Sequence, residues 1–170
     1  MRDALAAMNQ LVAEGIVGSY AIGGAVGASF YLPAMQTEDV DVFVSLATNK
    51  SKVVSLAPVY AALGALGGKP EGQYVRFGAW PLQVLTDANP LITEAIRDAK
   101  PVTFDGIPTR VFTAKHLCAI ALQTGRTKDL LRVALFLEHG AVTRKALSTL
   151  LERYDLEKPF ERVAQLGRRR

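Results

Sequence analysis

Apolar residues recur along the chain with two periods, and the change from one to the other divides it. Between Asp3 and Glu14, Leu5, Met8, Leu11 and Val12 fall on one helical face, with Gly15 as a stop. Ser19–Ile22 reads as a short strand running into Gly23-Gly24. The small apolar stretch Gly24–Tyr31 predicts a helix lying close to a sheet and ended before Pro33. Over Glu38–Leu46 (EDVDVFVSL), Val40, Val42 and Val44 alternate with Asp39, Asp41 and Phe43. This is a strand from which both aspartates leave the same face. Lys52–Leu66 predicts a helix with Pro58 marking an early turn. Tyr74–Phe77 and Pro81–Thr86 form a hairpin around Gly78-Ala79. Asn89–Ala99 is a helix with Asn89 as N-cap and Pro90 in its first position. Val102–Phe104 and Thr109–Phe112 flank Asp105-Gly106, a hairpin signal.

Beyond Thr113 only the helical period remains. Thr113 caps Ala114–Gln123, Gly125 breaks the chain, and Thr127–His139 carries Leu130, Val133, Ala134 and Leu137 on one stripe. Thr143–Tyr154 follows with a threonine at its cap, then Leu156–Gln165. The fold class expected is α/β (α+β). A mixed sheet with flanking helices spans residues 1–112, and a helical C-terminal lobe over 113–170 packs against it.

Composition narrows the classes. In 170 residues, 49% are apolar and 21% charged, too apolar for a disordered chain. No apolar run is long enough to span a membrane. The amphipathic start carries acids and does not read as a signal peptide, so a cytoplasmic, membrane-free protein is expected. The single cysteine, Cys118, excludes a disulfide framework and reads as core. His116 and His139 are far apart, read as helix-surface or helix-end residues, and make no zinc site without carboxylate help. The net charge of +4 is uneven: residues 1–90 sum to −2 and residues 91–170 to +6. Two readings stay open. Either the front binds metal and the back a polyanion, or basic helices keep the protein in solution.

The chemistry concentrates in GSYAIGGAVGASFYLPAMQTEDVDVFVSL. Two carboxylates at i and i+2 of a strand repel unless a cation sits between them. Mg²⁺ (one or two ions) suits Asp39 and Asp41, because it takes carboxylate and phosphate oxygens together. Gly23 and Gly24 lack Cβ atoms, so phosphates can approach backbone N–H groups at the start of the next helix, with Ser19 or Ser29 beside them. A nucleoside triphosphate–metal site is expected. The competing reading is an edge strand whose two solvated aspartates deter aggregation.

The order glycine pair, helix, Asp-x-Asp strand over Ser19–Leu46 resembles the nucleotidyltransferase superfamily, with its polymerase-beta-like fold. In the back lobe, KHLCAIALQTGRTKDLLRV resembles the AbiEii-type toxin nucleotidyltransferases. That resemblance implies that Lys115, Arg126 and Lys128 face the triphosphate and that Asp129 lies near the metal or the attacking hydroxyl. It also implies transfer of a nucleoside monophosphate to a hydroxyl acceptor such as RNA or tRNA, with a cognate antitoxin as partner. Four positions depart from the pattern. Arg132 stands where a second aspartate is common. Gln83 takes the place of a third carboxylate on the neighbouring strand, with Asp87 four residues on. Met35 and Gln36 replace the basic residue that often precedes the Asp-x-Asp strand. A nucleotide-binding module without turnover, or a partner-binding protein, are the alternatives. Trp80 reads as hairpin packing and Arg168–Arg170 as a basic end.

Overall fold

The strand carrying the two aspartates lies inside the sheet. In the computed structural model, which describes residues 1–33, 37–46 and 55–167, β2 (Val40–Leu46) pairs antiparallel with β1 (Val17–Ile22) and parallel with β5 (Trp80–Thr86). The seven strands run in the order β3-β4-β5-β2-β1-β7-β6, with β3 Lys69–Glu71, β4 Tyr74–Phe77, β6 Lys100–Phe104 and β7 Ile107–Val111. An interior position removes the edge-strand reading of Asp39 and Asp41.

The period of two sorts β2 between two cores. Val40, Val42 and Val44, all fully buried, face α1 (Arg2–Ala13) and α3 (Ala57–Ala65), meeting Leu5, Met8, Leu11, Val59 and Leu63. Phe43 points the other way, where its ring lies 4.9 Å from that of Phe112 in a cluster that takes in the C-terminal helices. These are α5 (Ala114–Thr124), α6 (Thr127–Glu138), α7 (Arg144–Arg153) and α8 (Glu157–Gly167). Between the sheet and them lie α2 (Gly24–Ala28) and α4 (Pro90–Arg97). The helical region therefore shares its core with one face of the sheet, the face from which Asp41 also projects.

Most expected elements recur with shifted ends. Thr113, Thr143 and Asn89 accept the N–H three residues on, as capping residues do. The β6–β7 turn places Asp105 and Gly106 at φ 48° and 77°, the pair of left-handed residues that suits a twisted two-residue hairpin. Helix α2 stops at Ala28, three residues short of the expected Tyr31, and β6 starts at Lys100 rather than Val102. Strand β3 was not expected: its three residues are all exposed and are defined by their ladder with β4. The start of the expected helix at Lys52 and the Met35-Gln36 pair lie outside the described residues. Among the described residues no helix is long and apolar enough to cross a membrane.

Candidate functional site

Asp41 is placed by backbone and shape. The Gly23 N–H donates to the Asp41 carbonyl at 2.9 Å, tying the end of β1 to the start of β2. Gly24 opens α2 at φ +56°, and a Cβ there would stand 2.0 Å from Oδ2 of Asp41. A Cβ on Gly23 would come within 2.5 Å of the Phe43 ring and 3.1 Å of the Phe112 ring. The space that these glycines leave, expected to admit phosphate, is taken by the protein's own carboxylate and rings. Close packing at a sheet surface fills the volume a missing methyl vacates.

Burial, and then the negative charge of Asp39, push the Asp41 carboxyl above the ordinary range. Arg132, Arg126 and Lys128 pull it back without prevailing. Asp39, just before the strand, has its Oδ2 3.5 Å from the Tyr74 hydroxyl and its Oδ1 3.4 Å from the Thr37 hydroxyl. In register, Asp41 stands beside Gln83 on β5, and Gln83 beside Tyr74 on β4. The three half-buried side chains form one row across the sheet. Gln83 therefore occupies the position adjacent to Asp41, and a neutral amide there can coordinate but cannot take a proton at neutral pH. Asp87 is at the far end of β5, where its Oδ2 accepts from Ser45 at 3.3 Å.

Helix α6 brings the cations. Arg126 grips the nearly fully buried Asp129 with Nε–Oδ2 2.6 Å and Nη2–Oδ1 3.4 Å, and Arg132 Nη1 reaches the same Oδ1 at 3.4 Å. Both carboxylate oxygens of Asp129 thus accept from guanidinium groups. Arg126 and Asp129 form an i,i+3 ion pair, and Arg126 also feels the charges of Asp41 and Asp39. Lys128 is exposed on the same turn. Sequence reasoning took Arg132 for a departure; the structure makes it the cation with the largest effect on Asp41. Its Nε is buried with no hydrogen-bond partner among the described residues. The readable signal was the three-residue spacing Arg126, Asp129, Arg132, which puts all three on one face of a helix. Tyr74 was missed as well, because only strand pairing brings it near Asp39.

Other expected site residues lie apart from this group. Lys115 sits half-buried in the first turn of α5, where its charge acts on His116 and is not among those acting on Asp41. Ser29, exposed at the end of α2 away from Gly24, donates its hydroxyl to the Val26 carbonyl at 2.7 Å. His116, expected at a helix surface, is fully buried, because α5 is enclosed by the shared core. His139 ends α6 as expected, and Trp80 packs beside the β4–β5 hairpin. Cys118 is fully buried, and burial pushes its thiol up. Arg168–Arg170 lie outside the described residues.

The fold has counterparts among solved structures. One is a nucleotidyltransferase-like protein from Paracoccidioides brasiliensis, with a TM-score of 0.57 at 14% identity over 93% of this chain and 90% of that one. Another is the antibiotic-resistance factor ANT(2'')-Ia, with a TM-score of 0.54 at 14% identity over 98% of this chain and 94% of that one. The chain has the nucleotidyltransferase fold. No protein-family model and no curated protein matches it. At this identity the likeness is one of fold. Within this fold the Asp-x-Asp strand follows the glycine pair, and the charges of α6 act on Asp41.

Proposed function

We propose that the protein is a Mg²⁺-dependent nucleotidyltransferase that moves a nucleoside monophosphate from a nucleoside triphosphate to a hydroxyl acceptor. One observation carries the reading: the charges of Arg132, Arg126 and Lys128, on α6 and its N-cap, act on Asp41, and Arg126 feels Asp41 and Asp39 in turn. Asp129 takes up part of the charge of Arg126 and Arg132, and the remaining acids and cations together make a site for something that carries both signs, as a triphosphate with its metal does. The donor set fits a hard divalent ion. Burial first, and then the charge of Asp39, hold the Asp41 carboxyl above its ordinary range, and a hard divalent ion between the two carboxylates would favour their ionised form.

Asp39 and Asp41 would hold the metal. When bound, Mg²⁺ neutralises phosphate charge and polarises the phosphoryl oxygens. Arg126 and Lys128, both exposed, orient the phosphates. Arg132 and the buried Asp129 fix the pitch of Arg126, so that its guanidinium is pre-aimed. The acceptor oxygen bonds to the α-phosphorus, the bridging bond to the β-phosphate breaks, and pyrophosphate leaves. Gln83 cannot take the acceptor's proton, which passes to water. The basic half of the chain and the likeness of its α5–α6 segment to the AbiEii-type toxins favour an RNA hydroxyl as acceptor and a cognate antitoxin as partner.

A second reading has its own support. Gln83 stands beside Asp41, and both oxygens of Asp129 are engaged by arginines, which suits a module that binds nucleotide without turning it over. Incubating the protein with each labelled nucleoside triphosphate, Mg²⁺ and total RNA, beside Asp41→Asn, separates the two. Label transferred by the wild type and lost in the variant supports the transferase. Saturable nucleotide binding with no transfer supports the module. Absence of binding overturns both.

A further inference from the structure

A second cluster of ligand-type side chains lies away from the carboxylate pair. Glu94 on α4 and Asp98 at its C-cap are one turn apart; across from them, the first turn of α5 presents His116. One ligand atom from each of the three comes within 4.8 Å of the others. Tetrahedral coordination with bonds near 2.1 Å needs ligand atoms about 3.4 Å apart, so closure asks for small side-chain movements only.

The surroundings orient these ligands. His116 is fully buried, and its Nδ1 lies 2.8 Å from the Thr113 hydroxyl, which leaves Nε2 turned toward Oε1 of Glu94 at 3.4 Å. An imidazole with one nitrogen hydrogen-bonded to an oxygen and the other facing a carboxylate has the outer-shell arrangement of a metal ligand. Glu94 divides its oxygens. Oε2 accepts from Arg153 and from the Tyr154 hydroxyl, each at 2.6 Å, while among the described residues Oε1 has only the long contact to His116. The cations nearby are on long, solvent-facing stems: Arg153 on Glu94 and Arg97 on Asp98 have side chains 51% and 70% exposed, and Lys115 is half-buried beside His116. An open groove of about 560 Å³, lined by Asp87, Asn89, Thr93, Glu94, Arg97 and Tyr154 among others, reaches Glu94 from solvent. Through Glu94 it brings solvent to one edge of the cluster.

We propose that Glu94, Asp98 and His116 form a second divalent-metal site, of the zinc class, beside this groove, which meets it at Glu94. One imidazole with two carboxylates selects zinc and its neighbours over magnesium, whose sites are built from oxygen alone. The bound ion clamps α4 to α5. The inference does not rest on the reading of Asp39 and Asp41.

The test uses the full chain, stripped with a chelator and titrated with Zn²⁺ or Co²⁺ in excess Mg²⁺. One equivalent of Zn²⁺ should bind, and Co²⁺ should give the visible absorption of a four-coordinate ion. Asp98→Asn changes a partly exposed side chain and should weaken Zn²⁺ at least about tenfold with an unchanged circular dichroism spectrum. Asp41→Asn should leave Zn²⁺ binding intact, which separates this site from the other. His116→Gln should abolish the cobalt absorption where it folds; Asp98→Asn carries the test where it does not. Wild type that binds no Zn²⁺, affinity unchanged in Asp98→Asn, or affinity lost in Asp41→Asn would each overturn the proposal and leave Glu94–His116 as a buried hydrogen bond alone.

Discussion

Replacing Gly24 by alanine tests whether the glycine pair serves a ligand or serves Asp41. The residue has φ +56°, and holding an L-residue there costs about 1–2 kcal/mol. The new Cβ would stand 2.0 Å from Asp41 Oδ2 and 2.9 Å from Cγ, so the carboxylate must move by more than an ångström; crowding of that kind costs about 1–3 kcal/mol. Alanine stiffens the unfolded chain and returns about 0.4–1 kcal/mol. The net expectation is a loss of about 2–4 kcal/mol. At about 2–4 °C per kcal/mol for a chain of this size, the thermal midpoint should fall by roughly 4–16 °C. In an Asp41→Ala background the carboxylate is gone, and the same substitution should cost only its backbone part, about 1 kcal/mol net. Calorimetry on the wild type, both single variants and the double variant gives the coupling, expected at about 1–3 kcal/mol. Additive effects, or a Gly24→Ala variant within about 0.5 kcal/mol of wild type, would mean that the glycine space is open and that Asp41 is held by something else.

Three further outcomes follow from the charges. The Asp41 carboxyl is raised by burial and by Asp39, so the folded protein keeps its proton to higher pH than the unfolded chain does; ionised Asp41 therefore costs stability at neutral pH and nothing in strong acid. Asp41→Asn should melt higher than wild type at pH 7 in chelator, the gap closing as pH falls below the ordinary aspartate range, and a variant that melts lower at pH 7 refutes the assignment. Burial draws the Glu94 carboxyl upward, but hydrogen bonds from Tyr154, Arg153 and His116 win and hold it at about 2. The stability it contributes, at most about 3 kcal/mol at 1.36 kcal/mol per pH unit, is present above the unfolded range near 4.3 and is lost as pH falls toward 2. Glu94→Gln should flatten that part of the acid unfolding curve, and an unchanged curve sinks the argument. Lys128 is exposed, so Lys128→Met should leave the thermal midpoint nearly unchanged while lowering triphosphate affinity several-fold, with a weaker dependence on salt. Equal affinity would remove Lys128 from the site.

What could be read from the chain follows the range of the interaction that decides each feature. Strand β2 was legible nearly to its ends because alternation of Val40, Val42 and Val44 with Asp41 and Phe43 is local and two-sided. The threonine caps of α5 and α7 were legible because a cap bonds three residues away. Strand β3 was not, since Lys69–Glu71 have no apolar face and exist as a strand only through β4. His116 defeated the helical period for another reason. Helix α5 buries His116, Leu117, Cys118 and Ala119 in succession, so no face of it is marked as outward. Its polar partner Glu94 is on a different helix, 22 residues earlier.

The acid pair shows both the reach of such reading and its limit. That Asp39 and Asp41 share a face follows from a period of two; that Arg126 and Lys128 act on them was implied by the resemblance of the back lobe, the charge excess of the second half leaving it open. Why Asp41 points where it does is not a matter of its own neighbours in sequence. Burial and charge alone account for the state of its carboxyl, and among the described residues no hydrogen bond contributes to it. Its direction is set by the missing Cβ of Gly24, an element away. A carboxylate positioned by donors has spent its lone pairs on them; one positioned by shape has not. The absent methyl group thus does for the acid what it was expected to do for a phosphate. It lets a negatively charged group lie against the start of α2, and among the described residues no hydrogen bond occupies the oxygens of Asp41 that a cation would use.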